Sequence, residues 1–127
     1  MQLGTCSWTL GLKDLEQLMS KVKSLGLDGL HFCEKLTDYS PIDVKETAER
    51  YGLKIFAIDP FYAKPENSSE ATLPNAIAYY SEVIDFAVEA NSPWVTLQAL
   101  PKWTVNCSSE AEKYTFLAEA CKKLDAY

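Results

Sequence analysis

The chain has 127 residues, 47% of them hydrophobic and 24% charged, and a formal net charge of −6. This is enough apolar material for one packed core in one domain. The 12 lysines and arginines are scattered rather than gathered into a basic face, which excludes the usual phosphate-backbone partner, so no nucleic acid is expected. No stretch approaches the ~20 apolar residues of a membrane span. The opening segment has neither a basic region nor a long apolar run, so no signal peptide is expected and the chain is assigned to the cytoplasm.

The four cysteines, Cys6, Cys33, Cys107 and Cys121, are far apart and form no CxxC pair. That spacing argues against a zinc site or a disulfide framework and predicts buried or half-buried thiols in a reducing compartment. The Asn-x-Ser sequons at Asn67 and Asn106 are read as chance.

In chain order, a first short apolar strand is expected in "QLGTCSW". A helix follows from about Asp14 to Leu25, where Leu15, Leu18, Met19, Val22 and Leu25 recur at helical spacing. Asp14 and Gln17 resemble a capping box, and Gly26 suits a left-handed stop. "GLHFCE" is the second strand. The next helix starts at "SPID", with Ser40 as N-cap and Pro41 at the first helical position. Val44, Ala48 and Tyr51 line its inner face, Gly52 ends it, and "KIFAIDP" is the third strand. The polar stretch "AKPENSSEATLP" reads as a surface loop. Ala76, Ile77, Tyr80, Val83, Ile84, Ala87 and Val88 then form one helical stripe, with Asn91 as C-cap and "PWVTLQALP" as a fourth strand. A last helix opens at Ser109, paired with Glu112 in a capping box, and continues its apolar face through Tyr114, Leu117, Cys121 and Leu124.

Strands alternating with helices predict an α/β fold with parallel pairing and outer helices. Ligands in such folds bind at the C-terminal ends of the strands. Trp8, Glu34, Asp59 and Gln98 each fall at or just past such an end, and Trp103 lies close behind. His31, mid-strand and opposite in parity to Glu34, is expected to face the covering helices. Four strand–helix units are half of a (β/α)8 barrel, which takes ~250 residues, and the last helix shows no stop signal by Tyr127. Residues 1–127 are therefore expected to be the N-terminal half of a TIM barrel. A half on its own has open edges and an uncovered inner face, so self-association is expected.

The segments "GTCSW", "LDGLHFCE", "YGLKIFAID" and "AVEANSPWVTLQALP" together resemble the first four units of the xylose isomerase-like TIM barrels, the sugar phosphate isomerase/epimerase group. The resemblance spans essentially the whole chain. It implies a sugar or cyclitol substrate and proton transfer through an enediolate, with a divalent metal, Mn or Mg, stabilising the charge. In that group the metal-binding and acid/base carboxylates come largely from the second half of the barrel. The resemblance therefore implies no metal ligand here and no catalysis by this chain alone. It leaves Glu34, Asp59 and Gln98 as hydrogen-bonding partners for substrate hydroxyls, and Trp8 and Trp103 as stacking surfaces.

Two other readings remain. The same superfamily includes apurinic endonucleases, but those hold zinc partly by histidines at first-half strand ends, where this chain has Asp59 and Gln98. A complete, noncatalytic α/β binding domain fits the length, although no GxGxxG or GxxxxGKS phosphate loop is present.

Overall fold

The computed structural model describes residues 1–61, 63–97 and 100–127, with the backbone alone at 100 and 101. Three strands, β1 (Gly4–Cys6), β2 (Gly29–Cys33) and β3 (Lys54–Asp59), form one parallel sheet in the order β1-β2-β3. They alternate with helices: α1 (Ser7–Leu10) and α2 (Leu15–Ser24) after β1, α3 (Pro41–Arg50) after β2, and α4 (Leu73–Glu89) after β3. The short α5 (Leu100–Trp103) and the long α6 (Glu110–Asp125) complete the chain. The fold is thus α/β with consecutive parallel strands. No helix among the described residues is long and apolar enough to cross a membrane.

The helix boundaries follow from local chemistry. Asp14, Ser40, Thr72 and Ser109 each accept a hydrogen bond from the backbone N–H three residues on, at Gln17, Asp43, Asn75 and Glu112. Each cap satisfies one of the N–H groups that a helix start leaves without a partner. After α2 and α3, Gly26 and Gly52 adopt left-handed φ values of 72° and 66°, a conformation glycine enters without a Cβ clash.

Helices α2, α3 and α4 cover one face of the sheet. Leu30, Phe32, Ile55 and Ile58 point into that layer and pack with Leu18, Met19 and Val22 of α2, Val44 and Ala48 of α3, and Ala76, Tyr80, Val83 and Ala87 of α4. The Phe32 ring lies edge-on to Tyr39 at 5.1 Å and stacks on Phe86 of α4 at 6.5 Å. Complete burial of such a ring contributes about 1.5–3 kcal/mol.

The β2–β3 ladder is irregular. Leu30 pairs with Ile55 but His31 pairs with Ala57, so Phe56 is an inserted bulge residue. The Phe56 ring covers the site where Gly4 and Gly29 lie side by side: a Cβ on Gly4 would fall 2.6 Å from it. A Cβ on Gly29 would meet the Phe56 ring at 3.0 Å and run into the Lys54 carbonyl.

Three expectations need correction. The expected fourth strand is reduced to one parallel bridge, Ile58 to Val95. Among the described residues its strand pairing is to β3 alone, with no strand on its other side. The apolar stripe of α6 is only partly inward: Ala120 is buried, while Tyr114 and Cys121 are exposed. Cys121 thereby departs from the expected burial, whereas Cys33 is buried and Cys6 and Cys107 are intermediate. Finally, His31 faces away from the helices. Since Leu30 and Phe32 are drawn into the helix layer, strict alternation turns His31 to the opposite face, where its side chain is 34% exposed.

The close approach at Gly29 is directly testable. Gly29→Ala is expected to lower the unfolding free energy in urea by about 1–3 kcal/mol, the usual cost of overpacking. A shift within ~0.5 kcal/mol, the range of an ordinary surface substitution, would show that this crossing is not tight.

Candidate functional site

Three buried polar residues, Ser7, Glu34 and Asp59, lie at the C-terminal ends of the strands. At the end of β1 the chain turns at once into α1, and this turn buries Ser7 completely. Its Oγ accepts the Cys33 N–H at 2.9 Å and lies 2.9 Å from Glu34 Oε1 and 3.2 Å from the Cys33 carbonyl. The hydroxyl has one proton, and the charged carboxylate is the stronger acceptor. Ser7 thus relays a backbone N–H of β2 to the carboxylate just beyond β2.

Glu34 is 2% exposed. Its second oxygen, Oε2, accepts the Lys13 ammonium at 2.5 Å. The Lys13 backbone is in turn held by Tyr39, whose hydroxyl donates to the Lys13 carbonyl at 3.0 Å. Hydrogen bonding to Glu34 raises the Lys13 pKa, outweighing the opposing effect of desolvation. Burial, and next the Glu34 charge, push the Tyr39 phenol up. Both shifts favour the protonated forms of Lys13 and Tyr39 beside Glu34.

Asp59, also 2% exposed, ends β3. The two strand ends are joined, since the Glu34 N–H donates to the Asp59 carbonyl at 3.2 Å. Asp59 Oδ1 accepts the Phe61 N–H at 3.1 Å, an Asx-type turn across Pro60. Phe61 is held at φ 25°, a backbone conformation that side-chain-bearing residues rarely adopt. Strain of this kind persists where the surroundings over-determine it and is concentrated at ligand sites. Here it lays the Phe61 ring against Trp8, with centroids 5.8 Å apart and planes 29° from parallel. Trp8 remains 57% exposed.

On the face of the sheet away from the helices, His31 Nε2 lies 3.7 Å from Asp59 Oδ2. Cys33 shares that face, paired across the ladder with Asp59. Burial, then the Asp59 charge and the neighbouring Cys6, push the Cys33 thiol well up. A protonated thiol is neither a nucleophile nor a metal ligand.

Of the residues expected from sequence, the structure brings Glu34, Asp59 and Trp8 together. Trp103 is elsewhere, 3% exposed and packed against Tyr79 and Tyr80 at 5.9 and 6.5 Å. Gln98 lies outside the described residues. Sequence reasoning missed Ser7, Lys13 and Phe61. The one available signal for Ser7 was its position next to Trp8 at a strand end, and nothing in the sequence singled out Lys13 or Phe61.

Among the described residues no three His, Cys, Asp or Glu side chains are grouped to hold a metal ion. The resemblance places the ligands of its Mn or Mg outside this chain, and no step is derived through one. The arrangement offers two buried carboxylates, an ammonium and an exposed aromatic surface on one rim. Those are groups that accept hydroxyl protons and stack on the apolar face of a small polyol. Compared with known proteins, the chain matches no family model and no curated protein.

Two outcomes follow from this geometry. Ser7→Ala strands the Cys33 N–H and one Glu34 oxygen and is expected to cost about 1–3 kcal/mol in a denaturant titration; a neutral result would remove Ser7 from the network. With iodoacetamide and peptide mass mapping, exposed Cys121 is expected to be modified first and Cys33 only on unfolding. Early alkylation of Cys33 would contradict its protonated, buried state.

Proposed function

We propose that the chain is the first four strand–helix units of a (β/α)8 barrel similar to the xylose isomerase-like group, and that its strand ends form the substrate wall for a sugar or cyclitol. One observation carries the reading. Glu34 and Asp59, each 2% exposed, sit on neighbouring strand ends tied by a backbone hydrogen bond, beside an exposed Trp8. The consecutive strand order and the Val95 bridge extending it past β3 support a barrel-type arrangement.

On this reading Glu34 and Asp59 accept substrate hydroxyls and Trp8 stacks on a ring face. Lys13, with its ammonium already on Glu34, holds that carboxylate in its orientation. Proton abstraction through an enediolate, with its divalent metal, belongs to strands that this chain does not contain. The chain by itself then binds substrate without converting it.

The test is a titration of the isotopically labelled chain with myo-inositol and with D-fructose, followed by NMR. The Trp8 indole and Phe61 amide signals are expected to shift saturably while the buried Trp103 indole stays still. Trp8→Ala is expected to weaken binding roughly tenfold, equal to ~1.4 kcal/mol. If neither compound moves Trp8 or Phe61 at high millimolar concentration, the sugar reading fails.

A further inference from the structure

We propose that the cleft between α4 and the loops that follow β2 and β3 is a second ligand site, separate from the Trp8–Glu34–Asp59 rim, and that it takes a free α-amino acid with an aromatic side chain. The cleft is built from residues 35–86 alone and shares none of them with β1, the Val95 segment or α6. Its volume is about 370 Å³, at the small end of the ~300–1,000 Å³ of ligand pockets. That is the scale of an amino acid.

The walls are apolar and already in place. Tyr79, Val83 and Phe86 line the cleft from α4, at spacings that put all three on one helix face. Each is held from behind. The Phe86 ring stacks on Phe32 at 6.5 Å, Tyr79 packs against Trp103 at 5.9 Å, and Val83 is 2% exposed. Leu36 and Ala63 close the space from the two loops. Two supported rings and three aliphatic side chains suit an aromatic group, which gains ring contacts without reordering the protein.

The opening carries both signs of charge, from Lys35, Lys64, Glu66 and Glu82. Lys64 and Glu66 satisfy each other at 2.8 Å. Lys35 is held only loosely, 3.8 Å from Asp38 and beyond hydrogen-bond reach. Glu82 forms no hydrogen bond or ion pair among the described residues, and its charge acts on Lys64 and Tyr79 only through space. One ammonium and one carboxylate are therefore open to a ligand above an apolar floor.

This combination selects the occupant. A bare anion would meet Glu66 and Glu82, and a bare cation would meet Lys35 and Lys64. A neutral hydrocarbon would fill the floor and use neither charge. A zwitterion gives its carboxylate to Lys35 and its ammonium to Glu82, both charge-assisted contacts, and leaves its side chain to Tyr79 and Phe86. The site stands whether or not the rim binds a sugar.

Titration of the isotopically labelled full chain with L-phenylalanine, phenethylamine and 3-phenylpropionate, followed by NMR, tests this. L-Phenylalanine is expected to shift the Val83 methyl and Phe86 ring signals saturably while the Trp8 indole stays still. Phenethylamine lacks the carboxylate and 3-phenylpropionate the ammonium, so each is expected to bind at least roughly tenfold more weakly, or ~1.4 kcal/mol. Glu82→Gln is expected to abolish the preference for L-phenylalanine over 3-phenylpropionate, and Lys35→Gln the preference over phenethylamine. Both side chains are exposed, so the fold is expected to survive each change. A Val83 signal that stays still at high millimolar concentration overturns the proposal, as do equal affinities for the three compounds, a preference that survives both substitutions, or a response confined to Trp8. Should a variant unfold, the ranking of the three compounds on the unmodified chain decides.

Discussion

Burial of one face of the β1-β2-β3 sheet beneath α2, α3 and α4 is the constraint from which the rest of the molecule follows. Leu30, Phe32, Ile55 and Ile58 lie in that layer at no more than 5% exposure. A strand offers only two directions to its side chains, so committing these four commits their neighbours. His31 and Cys33 are forced to the opposite face next to Asp59, whatever their own preferences. The bulge at Phe56 is part of the same adjustment. It lets Ile55 and Ile58 both reach the helix layer although three positions apart, and it lays the Phe56 ring over the two glycines that leave room for it.

The strand ends are where this order has to stop, and polar groups there are cheap to keep only if paired. Ser7 performs that pairing by joining the end of β1 to the end of β2 through one hydroxyl. Glu34 then needs a cation, which Lys13 supplies from the solvent side. Because Lys13 is 70% exposed, this ion pair adds little to stability; its consequence is orientation of a buried carboxylate. At the end of β3 the Asp59 turn holds Phe61 in a rare backbone conformation. The strained turn and the relay through Ser7 converge on the same rim.

Much of the local structure was legible from the sequence because it depends on short-range chemistry. The caps at Asp14, Ser40 and Ser109 and the left-handed glycines 26 and 52 act within one helical turn, and each was readable from residue type alone. Glu34 and Asp59 were legible because an acid that ends an apolar run has few places to go. His31 was misread because parity counted from Glu34 assumes that the strand still alternates at its last residue. Glu34 lies beyond β2 and is turned by Ser7 instead. The fourth unit was overread: its apolar run suits a strand, but a strand also needs a partner on its flank, and the run itself does not reveal one.

The sequence by itself determined an α/β alternation, the helix ends and the presence of carboxylates where strands finish, since all of these are set by neighbours along the chain. Only the tertiary structure decided that Ser7 and Lys13 belong to Glu34, that Phe61 carries Trp8, and that Trp103 is core rather than rim. Those partners lie up to 53 residues apart, as between Trp8 and Phe61. Contacts across such separations are fixed by which faces of the sheet and helices are buried together, information that no local pattern of residues contains.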